Sequence, residues 1–173
     1  MNLTGSYSID ASHSRIGFIT RHAMVTKVRG QFEDYTATVT VDEAGKSHVD
    51  VTINAESINT RNSDRDAHVK GADFFDVANY PIITFSADFD ANDLDTLTGD
   101  LTIKGHTKQV TLDVDFHGMA EDPFGNTRAG FDLSGKINRL DFGIDFNAPL
   151  KTGGMLLSEE ITLEIEVSAI KTA

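Results

Sequence analysis

Hydrophobic and polar residues alternate along most of this 173-residue chain. In residues 83–89, every odd position is apolar and every even position is polar. The same alternation recurs in residues 49–55, 97–103, 110–116, 129–137 and 161–167. Strands with one apolar and one polar face are typical of antiparallel sheets. With two strands nearer the N-terminus, these runs predict about eight antiparallel strands.

The second of the N-terminal strands changes phase part-way along. Val28 and Phe32 put apolar side chains on even positions, whereas residues 35–41 put them on odd positions. A slip of one residue near Glu33 and Asp34 is what a β-bulge produces, and bulges bend strands at the corners of barrels. We therefore expect a bend at this point.

Only one segment carries the signals of a helix. Ser63 and Asp66 have the spacing of a capping box, and Gly71 stands where a helix commonly ends. These signals predict a helix over residues 63–70. Turns are predicted at residues 42–46 and 104–107, with a longer loop at 121–126.

The predicted strands need cover for their apolar face and partners for their edges. Either a sandwich or a barrel meets both needs, and a closed eight-stranded barrel either fills its interior with side chains or holds a small ligand. Periodicity leaves that choice open. No linker or repeat divides the chain, so we predict a single domain over residues 1–173.

The charge balance narrows the classes of partner. Fifteen Lys and Arg against 27 Asp and Glu give a net charge of −12, which argues against a nucleic-acid partner and against adhesion to anionic lipid through a polybasic segment. No apolar run approaches the roughly 20 residues of a membrane span, so no integral membrane insertion is expected. The N-terminus shows no basic and apolar leader pattern, which predicts a cytoplasmic protein.

Motifs for catalysis and metal binding are missing from the sequence. There is no cysteine, and none of the six histidines forms an H-x-H or H-E-x-x-H pair. Serine-elbow and phosphate-loop patterns are also missing. We therefore predict no catalytic residue, no metal site and no cofactor. The 11 Phe and absent Trp fit either a Phe-rich core or a Phe-lined pocket.

Several polar residues stand outside the alternating runs. Arg65 and His68 lie on the predicted helix, Arg139 ends a strand, and His22 follows another. In one interpretation these side chains satisfy backbone groups or nearby acids, such as Asp141, where strands meet loops. In the other they form a polar mouth above an apolar barrel and hold the head group of an amphiphile.

At these clusters the sequence resembles the YceI family, lipocalin-like barrels described as polyisoprenoid-binding proteins. The similarity covers residues 7 to about 170, nearly the whole chain, and the segments occur in the family's order. The matching segments include residues 7–10, 13–18, 28–32, 74–77, 80–85, 99–107 and 137–143, and the helical motif Arg65-Asp66-Ala67-His68-Val69.

The resemblance implies an all-β fold: an eight-stranded antiparallel lipocalin-like barrel with one short helix after the fourth strand. It also implies an apolar bore that holds a long isoprenoid or other lipid. From strand parity and the family match, the candidate bore residues are Phe18, Val39, Val51, Phe74, Phe85, Leu101, Leu112, Phe131, Phe142 and Leu163. The candidate residues of the polar mouth are His22, Arg65, His68 and Arg139.

The function expected from the resemblance is non-enzymatic binding, storage or transport of a polyisoprenoid or fatty-acid-like lipid. Two alternatives stay open: an isomerase or hydrolase acting on a lipid in the same bore, and a stress-related structural module with a filled core. Any oligomer is expected to be a symmetric homodimer. The apolar triplet Met155-Leu156-Leu157 is a candidate partner contact or, equally, a lid over the bore.

Overall fold

The computed structural model describes residues 2–151 and 153–173. Within them the chain forms one α-helix and a succession of antiparallel strand segments. Their bounds are β1 (Gly5–Ile9), β2 (Arg15–His22), β3 (Thr26–Phe32), β4 (Tyr35–Val41), β5 (Lys46–Asn54), β6 (Ile58–Asn59), α1 (Ser63–Val69), β7 (Ile82–Asp90), β8 (Thr96–Ile103), β9 (His106–Glu121), β10 (Thr127–Asn138) and β11 (Glu160–Lys171).

The strands close into a barrel. Neighbours follow the order β1-β4-β5-β7-β8-β9-β10-β11, and β11 pairs back with β1, so eight strands form a continuous ring. The first half of β11 pairs with β2 instead, and β2, β3 and β6 form a flank that continues the ring strands β1, β4 and β5. Closure satisfies the edges that an open sheet would expose, so the all-β barrel prediction is confirmed.

Strand breaks explain how a ring of eight contains more than eight segments. β1 and β2 are one strand interrupted at residues 10–14, and a 3₁₀ turn at Ala55–Ser57 separates β5 from β6. β3 and β4 are separated by Glu33 and Asp34, where the sequence predicted a bend. The break lets Phe32 and Tyr35, which lie on opposite parities, both be buried.

The helix differs from its prediction in position and cap. It follows β6, which ends the third barrel strand rather than the fourth, because β1–β2, β3–β4 and β5–β6 are three interrupted strands of the barrel. Its N-cap is Asn62, not Ser63: the Asn62 side-chain oxygen accepts from the backbone N–H of Arg65 at 3.0 Å. The Asp66 carboxylate accepts from the backbone N–H of Thr60 at 2.8 Å instead of closing a capping box.

The predicted turns all join strands. Residues 42–45 connect β4 to β5, and residues 122–126 connect β9 to β10. Between β8 and β9, Lys104 and Gly105 both have positive φ, as a two-residue type I′ hairpin turn requires.

The two ends of the barrel are built differently. At one end, which we call the closed end, Tyr7, Val41, Ala129 and Ala169 form a buried cluster. At the other, which we call the open end, α1, the turn between β2 and β3, and segments 139–151 and 153–157 surround the strand ends.

Candidate functional site

An apolar cavity of about 540 Å³ occupies the barrel interior and reaches from the closed-end cluster to the open end. All ten candidate bore residues line it: Phe18, Val39, Val51, Phe74, Phe85, Leu101, Leu112, Phe131, Phe142 and Leu163. For the eight that lie in strands, placement follows from strand register, because side chains of one parity share one face of a sheet. Phe85 pairs with Leu101 across β7 and β8, and Leu163 pairs with Phe18 across β11 and β2.

Two of these ten side chains come from outside the strands. Phe74 belongs to the turn after α1, and Phe142 ends the 3₁₀ turn Arg139–Phe142 that follows β10. Both pack against the main core cluster, and Phe142 is the largest side chain that is fully buried within the described residues. These turns therefore bring aromatic rings to the open end of the cavity.

An aromatic cluster covers part of this opening. The rings of His68 and Phe74 meet edge to face with centroids 5.0 Å apart, and Phe146 lies 5.1 Å from His68 and 5.2 Å from Phe74. The Nε2 atom of His68 also lies 3.1 Å from a carboxylate oxygen of Asp73. His68 and His22 both line the cavity and are exposed, so the cavity meets solvent here.

Arg65 lies at the same end but is held by its neighbours. Its Nε donates to the Thr60 hydroxyl at 2.9 Å, and its Nη2 donates to the Thr60 carbonyl. The Thr60 hydroxyl in turn donates to the Asp66 carboxylate. Thr60 is buried and lines the cavity, so this network fixes the start of α1 against the barrel.

Arg139 lies beneath the opening rather than on its rim. The residue is only 5% exposed and lines the cavity. Its Nε donates to the carbonyl of Ser158 at 2.8 Å and its Nη1 to the carbonyl of Ile144 at 2.7 Å. These two carbonyls hold the guanidinium below the rim, and within the described residues it makes no contact with the Asp141 carboxylate.

Among the buried side-chain nitrogen and oxygen atoms of the described residues, Nη2 of Arg139 alone lacks a hydrogen-bond partner. Burial lowers the pKa of this guanidinium, while Glu159 and Asp145 oppose that shift. Because an unpaired buried donor costs free energy, an oxygen atom brought by a ligand would stabilise this site.

Sequence patterns missed several residues of this site. Thr60, Ile144 and Phe146 also line the cavity. They lie in loops, where no period-two signal exists. In the triplet Met155-Leu156-Leu157, which the sequence offered as a lid or a partner contact, the two leucines line the cavity and Met155 is exposed. Its use as a dimer contact stays a prediction.

In residues 2–151 and 153–173, no group of three or more His, Asp or Glu side chains is arranged to hold a metal ion. In the same part of the chain, α1 is too short and too polar to cross a membrane as a helix.

The chain matches the family model of the YceI-like domain over residues 7–169. A UPF0312 protein from Staphylococcus aureus strain N315 is 36% identical over 162 residues, which covers 92% of this chain and 94% of the relative. The family match therefore begins within β1, at Tyr7, and ends within β11, at Ala169.

Two solved structures share the fold. The YceI protein of Campylobacter jejuni is 35% identical with a TM-score of 0.73, covering 88% of this chain and 90% of that one. A polyisoprenoid binding domain from Saccharophagus degradans, implicated in plant cell wall breakdown, has a TM-score of 0.73 at 14% identity. It covers 96% of this chain and 98% of that one, and at this identity the likeness concerns the fold alone.

Proposed function

This chain belongs to the family of YceI-like domains, and we propose that it binds a long-chain amphiphile, such as a polyisoprenoid or a fatty-acid-like lipid, in the barrel cavity without changing it chemically. The observation that carries the proposal is the cavity itself. An apolar bore of about 540 Å³ ends beside one buried donor, Nη2 of Arg139, that has no partner within the described residues. This combination fits an apolar tail with an oxygen-bearing head.

The tail would supply most of the affinity. Each methylene group removed from water contributes about 0.8 kcal/mol, so a tail of about ten buried carbons contributes about 8 kcal/mol before the cost of association. The walls that meet it are side chains such as Phe85, Leu101 and Leu112, which discriminate weakly between hydrocarbon chains. Selectivity would therefore depend on the head group near Arg139.

Binding fits Thr60 and Arg139, the buried polar side chains among the described residues that line the cavity, better than catalysis does. A general acid or base must reach the reacting atom of the substrate. The Thr60 hydroxyl is engaged by Arg65 and Asp66, and two of the three guanidinium nitrogens of Arg139 are engaged by carbonyls. The description of the S. degradans domain as polyisoprenoid binding supports the same class of ligand.

The test is extraction of the protein, purified without detergent, by an organic solvent followed by mass spectrometry. A bore-filling variant, Val51→Trp, is compared with Thr52→Trp, whose side chain lies on the outer face of the same strand. We expect a long-chain amphiphile from the wild type and from Thr52→Trp, and little from Val51→Trp.

Two results would contradict the proposal. If no lipid is extracted and no added prenyl or fatty chain binds, the barrel acts as a structural module. If an added lipid is recovered as a chemically different product at a rate that depends on the protein, the barrel is an enzyme.

A further inference from the structure

Positive charge is concentrated in one hairpin of this acidic protein. Residues 11–32 contain four basic residues and no Asp or Glu, although the whole chain has a net charge of −12. The segment includes β2 and β3, two strands of the flank that continues the ring. The net charge of the chain therefore does not describe this surface.

The basic residues gather on the outer face of the flank. Val28 lines the cavity, so its neighbours Lys27 and Arg29 face the opposite way, and both are exposed. The Arg15 guanidinium lies over Gly17 on the same outer face, and Arg61 follows β6. Arg15, Lys27, Arg29 and Arg61 line one polar cleft together with Asn59, and we call these four residues the basic face.

The charges of the basic face are not neutralised by ion pairs. Within residues 2–151 and 153–173, none of its four cations is in salt-bridge contact with a carboxylate. Arg15 donates instead to the amide oxygen of Gln31 at 3.1 Å. The carboxylate of Glu33 borders the face, where it accepts from the side-chain amides of Gln31 and Asn59 at 3.3 and 2.8 Å.

The tip of the same hairpin is apolar and exposed. Met24 and Val25 are 63% and 75% exposed, and Met155 beside them is 50% exposed. The Met24 sulfur lies against Gly154, and the backbone N–H of Ala23 donates to the Leu156 carbonyl at 2.7 Å. We call Met24, Val25 and Met155 the apolar tip. It joins the rim of the cavity directly, because Leu156 lines the cavity.

We propose that the basic face and the apolar tip dock the open end of the barrel onto the surface of an anionic phospholipid bilayer. The inference rests on the proposed function, because docking brings the cavity opening to the source of its lipid. Lipid phosphates complement unpaired Lys and Arg, and exposed Met and Val side chains gain by entering the boundary between head groups and acyl chains.

Negative charge is not confined to one end: Asp73 and Asp145 are exposed at the open end, so docking needs the orientation that turns the basic face and the apolar tip toward the bilayer. The acidic turns at Asp42 and Asp90 lie at the closed-end side of β5 and β7, and strands of nine residues span about 30 Å. The Debye length at physiological salt is about 8 Å, so repulsion from those turns is largely screened. An acidic soluble protein would match the basic face but leaves the apolar tip beside the cavity unexplained.

The test is co-sedimentation of the full chain with vesicles of phosphatidylcholine alone or mixed with phosphatidylglycerol, at low and high salt. The double variant Lys27→Gln/Arg29→Gln is compared with Lys46→Gln/Lys171→Gln, which removes two exposed cations at the closed end. Each cation near an anionic surface increases partitioning onto vesicles by about fivefold. We therefore expect the Lys27→Gln/Arg29→Gln protein, the hairpin variant, to bind mixed vesicles roughly 30-fold more weakly than wild type. The closed-end control should bind as wild type.

A tip variant, Met24→Ser/Val25→Ser, separates charge from apolar contact. It should weaken binding while leaving the salt dependence unchanged. No binding to mixed vesicles at low salt would overturn the proposal and leave an acidic soluble partner for the basic face. Equal losses in the hairpin variant and the closed-end control would also overturn it.

A parallel measurement separates this inference from the function on which it rests. A fluorescent long-chain fatty acid is titrated into each protein without vesicles. We expect equal binding by the wild type and all three variants. If the fatty acid binds and the vesicles do not, docking fails alone; if the fatty acid binds to none of the proteins, the proposed cavity function fails.

Discussion

Arg128 and Arg139 lie at opposite ends of the barrel and are held in opposite ways. At the closed end, Arg128 donates to Asp10 at 2.7 Å and to Asp122 at 2.8 Å, so its charge is met by two carboxylates. At the open end, Arg139 is more deeply buried, donates to two backbone carbonyls and keeps one nitrogen without a partner within the described residues.

The difference distinguishes an arginine that only stabilises the fold from one that also has a donor facing the cavity. Asp10 precedes β2 and Asp122 lies in the loop between β9 and β10, so Arg128 ties two distant segments across the closed end. Arg139 likewise ties its 3₁₀ turn to the carbonyls of Ser158 and Ile144. Of these two arginines, it is Arg139 that lines the cavity and has, within the described residues, one donor without a partner.

The largest expected effect comes from placing a charged side chain inside the barrel. It tests whether a buried charge is tolerated only where hydrogen-bond partners surround it. Phe85 is buried and lines the cavity, with no polar network around it comparable to that of Arg139. Phe85→Asp should lower the free energy of unfolding by at least about 3 kcal/mol or prevent folding, because a buried unpaired carboxylate is not compensated. Denaturant titration of Phe85→Asp and of Thr84→Asp, exposed on the outer face of the same strand, measures it. Equal stability of the two variants would show that the register argument is wrong.

The contrast between the two ends also marks how far sequence reasoning reaches. Phe85, Leu101 and Leu112 were predictable because a period of two fixes the face of every residue in a strand. The bend at Glu33 was predictable because it shifts the phase of that pattern. These inferences use only the nearest neighbours along the chain.

The open end was harder to predict because its contacts join distant loops. Arg139 stood out as a polar residue at a strand end, but its burial depends on the Ser158 carbonyl, which lies on another element. Phe146 and Thr60 carry no periodic signal at all. The composition of residues 11–32 shows that this hairpin is basic, but the negative net charge of the whole chain does not reveal it.

The next prediction tests the free donor of Arg139. Arg139→Met should lower the free energy of unfolding by about 2–4 kcal/mol through the loss of two charged hydrogen bonds. It should also weaken binding of a prenyl phosphate by about 1.5–3 kcal/mol, the range of a hydrogen bond to a charged group, while a prenyl alcohol of equal length is much less affected. Calorimetric titration of both ligands at a temperature where the variant is folded measures the difference. Equal losses for the two ligands would assign Arg139 a purely structural role.

A third prediction uses pH to tell the two arginines apart. Hydrogen bonds from Arg128 lower the pKa of both Asp10 and Asp122 well below the usual range. A lowered carboxyl pKa stabilises the fold above the pKa of the unfolded chain, near 3.9, and this stability is lost as the pH falls toward the folded value. Arg128→Gln should therefore lower the Tm by a few degrees at pH 7, and the difference from wild type should shrink below about pH 4.

Arg139→Met provides the matched comparison across the same acid range. Within the described residues no carboxylate bonds the Arg139 guanidinium, and Glu159 and Asp145 act on it only as nearby charges, so its difference in Tm from wild type should change less than that of Arg128→Gln as the pH falls. Parallel melting curves for Arg128→Gln and wild type at every pH would contradict the ion-pair account of the closed end.

The smallest expected effect concerns carboxylate pairing without burial. On the barrel's outer wall, Nδ1 of His48 lies 2.6 Å from Asp88 and Nε2 lies 3.0 Å from Asp50, and about two fifths of the imidazole is exposed (43%). Hydrogen bonds to Asp88 and then to Asp50 raise the pKa of His48 above its usual 6.5. A raised histidine pKa stabilises the fold below the unfolded pKa, and this stability is lost as the pH rises through the folded value. His48→Gln should thus remove a slight decline in Tm above neutral pH, smaller than the acid effect at Arg128 because solvent screens the pair.

NMR titration of the imidazole provides the sharper measurement: Asp88→Asn should move the pKa of His48 back toward 6.5, and Asp50→Asn should move it less. If neither variant moves the pKa of His48, hydrogen bonds to these exposed carboxylates do not raise it. Burial would then be the feature that makes carboxylate pairing effective at Arg128 and not at His48.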